Sequence, residues 1–563
     1  MIVGGGPAGS TAGALLRTYN SSLKVRIVER ERFPRDHVGE SQLSTIGLIL
    51  DEMGCWDKVE AANFPIKIGA TYRWGRDEKL WDFDFLPNFQ EQARPAKFAG
   101  QRMQTAFQVD RARYDKILLD HAAALGCDVR EGVAVTEVAR EGDAITELSL
   151  SDGSRLQARY YIDASGHAGA LRRALGVKVD VPTRLKNIAI WDYWENARWA
   201  VEIGVGGTRV QVMSQAHGWI WFIPLGPERT SIGLICPAEY YREQKLAPAE
   251  LYRKSLASDP RIGALIEGAT QRGKIETTTD WSFLSERAVG ENWFLAGESI
   301  GFADPILAAG MALAHSSARE AAYTILALEA GEHDPAWLKR HYDHNQRTRI
   351  EQHIRFADFW YAANGQFSDL KDHCQAIARD AGLELTTEQA WDWLARGGFT
   401  SEAVGFIGLG GLDLLAIKQV TQRFTPDQTP WRLSEYNIFQ LNLAGAERIK
   451  IPVFKRGKIV AVDSFRRNGR TLVLSGMIGL VVQFLGRNRE LVPLVKALSQ
   501  ALAQRFGASE VPRIINQAYP ALEVLIEDGW VTASRDPNKP RLRLETPDEG
   551  PLIHSNRDPA LGA

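Results

Sequence analysis

Three glycines near the start of the chain carry the first chemical signal. Gly4, Gly6 and Gly9 are spaced as GxGxxG, between the short apolar run Met1-Ile2-Val3 and a stretch of helical composition through Leu16. In that strand–turn–helix context the spacing reads as a dinucleotide site. Gly4 permits the tight turn, Gly6 lets backbone approach a pyrophosphate, and Gly9 lets helix and strand pack closely. Ala8 lies in the same turn, where the helix N-terminus stabilises phosphate charge. A second strand, Val25-Arg26-Ile27-Val28, ends at Glu29, the right distance on for an acid that bonds a ribose hydroxyl. The bland alternative is a glycine turn and a solvated glutamate.

A second signal sits at Gly218-Trp219-Ile220-Trp221-Phe222-Ile223-Pro224. As a strand, it puts Trp219, Trp221 and Ile223 on one face and Ile220 and Phe222 on the other. Both faces are apolar, so the strand is expected to be buried, with Pro224 ending it.

The bulk numbers set the frame. A chain of 563 residues, 45% hydrophobic and 24% charged, calls for two or three globular domains. A net charge of -2 gives no basic field to recruit nucleic acid or a membrane surface. Cys55, Cys127, Cys236 and Cys374 form no CxxC pair, so neither a metal site nor a disulfide framework is expected. No apolar run reaches the roughly 18–20 residues of a membrane span. A cytoplasmic setting follows by default. The start at Met1 falls almost inside the first strand, so a few further residues are expected before it in the natural protein.

The segment Arg30-Glu31-Arg32-Phe33-Pro34-Arg35-Asp36-His37-Val38-Gly39-Glu40-Ser41 resembles the "R..H.GES" stretch of flavin-dependent halogenases. There it helps to hold FAD, which implies cofactor roles for Arg30, Gly39, Glu40 and Ser41. Gln108-Val109-Asp110-Arg111 resembles the "V.R..FD..L" element of glutathione-reductase-like flavoenzymes, whose arginine lies near the cofactor. A helix cap by Asp110 with Arg111 exposed is the plain alternative. Asp163-Ala164-Ser165-Gly166 is similar to the "DASG" strand end of the same group. Gly297-Glu298 stands where most relatives carry Gly-Asp, a carboxylate that bonds the ribityl chain.

The tryptophan strand matches the WxWxIP motif of the halogenases at every fixed position. The resemblance makes it a wall between flavin and organic substrate. Lys67, just before the run Ile68-Gly69-Ala70-Thr71-Tyr72, matches the family's tunnel lysine, which receives the oxidised halogen. A surface lysine opening a strand is the ordinary alternative. Asp304-Pro305-Ile306-Leu307-Ala308-Ala309-Gly310 keeps the family's Asp-Pro…Gly frame but lacks its serine and threonine. The halide is placed by the backbone of Ala309 and Gly310, with Gly310 and Met311 also by the flavin. The glutamate that tryptophan halogenases carry in this segment is absent, so a phenol, pyrrole or enolisable polyketide is expected rather than free tryptophan.

The resemblance implies an α/β (α+β) chain: a glutathione-reductase-like, FAD-binding Rossmann domain, an inserted mixed β-sheet substrate domain, and a mainly helical C-terminal region. Residues 1–345 would form the halogenase core, with the substrate sheet at about 60–108 and 175–285. Residues 346–485 would be helical and 486–563 a winged-helix-like tail, with strands at Trp530-Val531-Thr532 and Arg541-Leu542-Arg543. Helices are expected at 349–363, 370–381 and 387–396, with glycine breaks at 397–398 and 405–411. The implied reaction is chlorination or bromination by FADH2, oxygen and halide, through a flavin hydroperoxide and hypohalous acid. No second GxGxxG unit for NADPH is present, so a separate flavin reductase is the expected partner. The substrate would be free or carrier-tethered and the chain a monomer or homodimer. An FAD-dependent aromatic hydroxylase or a flavin-linked reductase of the same fold is the alternative, and a flavin-based redox sensor a more distant one.

Overall fold

The computed structural model describes residues 1–75, 78–90, 92–183, 185–200, 202, 206–279, 281–362, 364, 414–424 and 431–556. The chain divides into two compact units. One comprises 1–374, 454–458 and 551–563; the other comprises 375–453 and 459–550.

The first unit opens as the glycines require. Ile2–Val3 is a buried strand, Gly4 turns at φ +105°, and a 13-residue helix, Pro7–Tyr19, follows. Pro7 occupies the first helical turn, where its missing N–H costs nothing. Ile2–Val3 pairs in parallel with Arg26–Glu29 on one side and Tyr161–Asp163 on the other. Asp128–Glu131 and Trp293–Leu295 complete a five-stranded parallel sheet. The five strands come from positions spread between residues 2 and 295, so this domain is discontinuous, as the sequence implied.

A larger mixed sheet is inserted between them. Asn187–Glu195, Arg229–Pro237, Gly218–Pro224, Gly207–Gln215, Ile66–Arg73 and Leu80–Asp84 lie side by side in that order. The pairing of Gly207–Gln215 with Ile66–Arg73 is parallel; its neighbours are antiparallel. One face, with Ile220, Phe222, Met213, Ile232 and Leu234, packs on Leu251, Leu256 and Ile262 of the helices Pro248–Ala257 and Pro260–Ile266. The other face carries the tryptophans. Ile553–Ser555, near the end of the chain, adds to the sheet edge against Leu80–Asp84.

Two long helices close the first unit, Gly310–Ala330 and Pro335–Ala362. The boundary expected at 345/346 falls inside the second of them. That helix continues because Ile350, Ile354, Phe356, Phe359 and Trp360 keep a buried face to its end.

In the second unit, Leu433, Phe439, Leu472, Val481, Leu525 and Trp530 share one core. Its helices are Leu414–Phe424, Gly476–Leu485, Leu491–Phe506, Val511–Ile515 and Ala518–Glu527. It also holds most of a three-stranded sheet, Glu447–Lys455, Lys458–Arg467 and Arg470–Val473, that no sequence pattern marked. The tail begins with three helices as expected, but Arg541, Leu542 and Arg543 form no strand. Val531–Ser534 pairs instead with Ile438–Leu441, almost a hundred residues upstream, a register no local pattern encodes. The helices expected at 370–381 and 387–396, the end of the one at 349–363, and the glycine breaks at 397–398 and 405–411 lie outside the described residues. No helix among the described residues is long and apolar enough to cross a membrane.

Candidate active site

The glycine turn is shaped by its neighbours. A Cβ on Gly9 would lie 1.9 Å from the carbonyl oxygen of Gly4, and one on Gly4 would lie 2.3 Å from that of Ala164. Gly6 differs: its nearest neighbour would be an Arg35 nitrogen at 3.6 Å, so the space above it is open. Gly4 and Gly9 therefore serve packing, and Gly6 leaves room for something else. Ala8 is buried beside the position of Gly297. Glu29 is buried at the strand tip, where Oε2 accepts from the Gly5 N–H (2.7 Å) and Oε1 from the Glu31 N–H (2.9 Å). Arg30 does not converge on this turn. It is exposed and pairs with Glu31 at 3.4 Å, because the residue after Glu29 has already left the sheet. The basic residue beside the glycines is Arg35.

Arg111 is buried, not exposed. It grips Asp115 through two hydrogen bonds (2.8 and 3.0 Å) and donates to the carbonyls of Val38 and Gly39, both at 3.1 Å. Asp110 caps the same helix by accepting from the Ala112 and Arg113 N–H groups, so the expected cap is present while the arginine expected to be exposed beside it is buried. Arg111 thus pins the 38–39 loop, where Gly39 sits at φ +96°. The next residue, Glu40, is buried; its carboxyl is pushed up by desolvation, although Tyr193 Oη donates to it at 3.0 Å. Burial also raises Glu298, with Arg111 opposing the shift.

Two side chains nearby have no partner among the described residues. Ser41 Oγ and both amide atoms of Gln108 are buried without a hydrogen bond, and the two residues face each other across an isolated β-bridge. An unpaired buried polar group costs about 1–3 kcal/mol. Such a cost is offset when a polar ligand supplies the partners. Together with the open space at Gly6 and the carboxylate at Glu29, this cradle fits FAD. Gln108 carried no role in the sequence reading, since a glutamine inside a strand–helix junction has no pattern to mark it.

Lys67 is buried, 3% exposed. Its Nζ donates to the carbonyl oxygen of Gln42 at 2.9 Å and lies 5.5 Å from the centre of the Phe85 ring. Among the described residues no carboxylate contacts it, and burial lowers its pKa to about 7. The Gln42 side chain reaches Met311 Sδ, 4.0 Å away, at the start of the Gly310–Ala330 helix. Gln42 therefore touches both the lysine and the first turn of the helix that follows the loop expected to hold the halide. In that loop Ala308 takes a left-handed turn (φ +52°), Ala309 precedes the helix, and no side chain caps its N-terminus. Its first-turn N–H groups have no partner within the helix. Gly310 packs under Phe302, 3.0 Å from where its Cβ would be.

The tryptophan strand is fully buried. Trp221 donates to Ser231 Oγ (3.1 Å), and its indole lies across Gly233, 2.1 Å from where a Cβ there would sit. Trp219 donates to Tyr361 Oη at 2.7 Å. The two indoles are 6.1 Å apart, and Trp191 lies 6.5 Å from Trp221, so three indoles form one wall. Ile223 shares their face, and Pro224 closes the strand. Among the described residues, no cluster of His, Cys, Asp or Glu is arranged to hold a metal.

Comparison with known proteins finds halogenases. The tryptophan halogenase family profile matches residues 1–100 and 86–376. A tryptophan 2-halogenase of Chondromyces crocatus is 34% identical over 370 residues, 63% of this chain and 66% of that one. A 1H-pyrrole-2-carbonyl-[peptidyl-carrier protein] chlorinase of Pseudomonas fluorescens is 29% identical, over 65% of this chain and 84% of its own. The chain thus spans slightly less than two thirds of the first of these relatives. Among solved structures, the flavin-dependent halogenase CmlS superposes with a TM-score of 0.69 at 25% identity, covering 98% of each chain. The myxobacterial chondrochloren halogenase CndH gives 0.59 at 25% identity, over 77% of this chain and 97% of that one.

Proposed function

We propose that this chain, which belongs to the tryptophan halogenase family, is a flavin-dependent halogenase that chlorinates or brominates an electron-rich phenol, pyrrole or enolisable substrate. The observation that carries the reading is the buried amine of Lys67, on the tryptophan face of the sheet and with no carboxylate among the described residues in contact with it. FAD would be held by the turn at Gly4, Gly6, Ala8 and Gly9, by Glu29, Gly39, Glu40, Ser41, Arg111, Gly297, Glu298, Gly310 and Met311, and by Gln108. Once reduced by a separate flavin reductase, it supplies, with O2, the two-electron oxidation of chloride or bromide.

The chain's own residues then govern where the oxidised halogen goes. The backbone N–H groups at Ala309 and Gly310 hold the halide at an uncapped helix N-terminus. Trp219, Trp221 and Ile223 exclude the organic substrate, so that a small anion reaches the oxidant first. Hypohalous acid meets Lys67 beyond the wall. A neutral amine takes the halogen as a haloamine, with N–X formed, O–X broken and water released; a protonated one donates a hydrogen bond and polarises it. With a pKa of about 7, both forms are populated near neutrality. The missing glutamate in the 304–310 segment favours a substrate already activated by its own oxygen or nitrogen. Three described cysteines, Cys55, Cys127 and Cys236, are free and buried, which suits a reducing cytoplasmic setting.

The test is product analysis with FAD, a flavin reductase, bromide or chloride, and a panel of phenols, pyrroles and indoles. A halogen isotope pattern in the product mass is expected. Hydroxylated products, or peroxide alone across the panel, overturn the reading.

A further inference from the structure

The partition is anchored from behind. Trp219 Nε1 donates to Tyr361 Oη at 2.7 Å, and Tyr361 Oη donates to Asp304 Oδ1 at 3.2 Å. Asp304 is buried and also accepts from the Ile306 N–H (2.9 Å, Oδ1) and from Trp281 Nε1 (3.2 Å, Oδ2). The four side chains come from four separate places: a sheet strand, the end of the 335–362 helix, the stretch before residue 283, and the segment leading to Ala309. Asp304 opens that last segment, so one carboxylate ties the indole wall to the loop at the halide position.

We propose that Tyr361, bonded to Asp304, is a positioning residue that fixes the orientation of the Trp219 indole and couples it to the 304–310 loop. The inference rests on the halogenase reading above. An indole on a strand has more than one rotamer, and its single N–H selects one of them. The Tyr361 hydroxyl accepts from Trp219 and donates to Asp304, so both of those capacities hold neighbours in place. Trp74 supports the arrangement edge-on: its ring centre lies 6.4 Å from that of Trp219 and 5.8 Å from that of Tyr361. Ring contacts restrict the indole without regard to where its N–H points; the hydrogen bond adds that direction. A turned indole opens the wall on one side, and oxidant then leaks to water or substrate.

Tyr361→Phe removes the hydroxyl and keeps the ring. With FAD, reductase and bromide, halogenated product per flavin oxidised should fall about tenfold, the effect of losing roughly one buried hydrogen bond. Released peroxide should rise to match. The near-ultraviolet circular dichroism of the indoles should change even without substrate. In a cycle with Trp219→Phe, the double variant should be no worse than Trp219→Phe alone, since both break the same contact. Asp304→Asn should shift the same two readouts, and it decides the matter if Tyr361→Phe does not fold. An unchanged product-to-peroxide ratio and an unchanged indole spectrum in Tyr361→Phe, or additive losses in the cycle, overturn the proposal. A wild-type enzyme that never halogenates refutes the halogenase reading instead; the indole spectrum and its cycle still decide whether Tyr361 orients Trp219.

Discussion

Lys67 and Tyr72 lie on the same face of the Ile66–Arg73 strand although they are five positions apart. An odd spacing puts two side chains on opposite faces of a regular strand. The pairing with Gly207–Gln215 explains the exception: Lys67 faces Thr208 and Gly69 faces Arg209, so Ile68 is an extra residue, a β-bulge. Thr208 and Val212 share a face, Val212 lies between Tyr72 and Trp221, and so Lys67 joins the tryptophan side. Without the bulge the amine would point toward the packed helices on the far side.

Lys67→Met should abolish halogenation while FAD still binds. It should also stabilise the protein, because a buried amine with its pKa lowered to about 7 opposes folding wherever the unfolded chain is protonated. The sign follows from linkage. The folded-state pKa lies below the unfolded value, so the lysine penalises folding fully below pH 7, and the penalty shrinks as pH rises from there toward the unfolded pKa. The variant's gain should be on the order of 2–4 kcal/mol at pH 6 and much smaller at pH 9. Urea midpoints of both proteins across this range test it; a gain that grows with pH would be the wrong sign.

Gly6→Val and Gly9→Ala should separate ligand space from packing. Gly6 has open space above it and an ordinary φ of −68°, so the substituted protein should fold and lose FAD. A Cβ at Gly9 meets backbone at 1.9 Å, so that variant should lose several kcal/mol, roughly the cost of severe overpacking. Flavin absorbance after purification and thermal midpoints read the two outcomes. A yellow Gly6→Val protein would reject the pyrophosphate assignment.

Gln108→Met should act in opposite directions on the two forms of the protein. Without cofactor it removes a buried amide that has no partner and should stabilise by about 1–2 kcal/mol. FAD affinity should fall about tenfold, as for one lost buried hydrogen bond. Thermal unfolding with and without FAD measures both; a loss of apo stability would mean that the amide is satisfied in the protein itself.

Gly233→Val should displace the Trp221 indole, which occupies the space a Cβ would need. The expected cost is about 1–3 kcal/mol of stability. With the wall disturbed, peroxide release per flavin oxidised should rise. Unchanged coupling would show that Trp221 is not part of the barrier.

Much of this site was legible in the residues. The GxGxxG spacing, the acid at Glu29 and the alternation of Trp219, Trp221 and Ile223 follow from local geometry: a turn, a strand length and a period of two. Arg111 was ambiguous in the sequence because capping by Asp110 and burial of the arginine are compatible, and the structure has both. Arg30, one residue past a strand end where the sheet no longer sets the chain direction, is exposed beside Glu31, while Arg35, a few positions on, stands by the glycines.

What the sequence alone determined is the set of parts that depend on near neighbours: the glycine turn with its flanking strand and helix, the buried tryptophan strand, and the residues whose types could do chemistry. What only the tertiary structure decided is where distant parts meet. The bulge that aims Lys67 is set by its partner strand some 140 positions on, and the acceptor for the Trp219 N–H is 142 residues away. The unpartnered amide of Gln108 becomes visible only once every other group around it has been placed. Side-chain pairing across such separations depends on register and packing, and neither is written in any single stretch of chain.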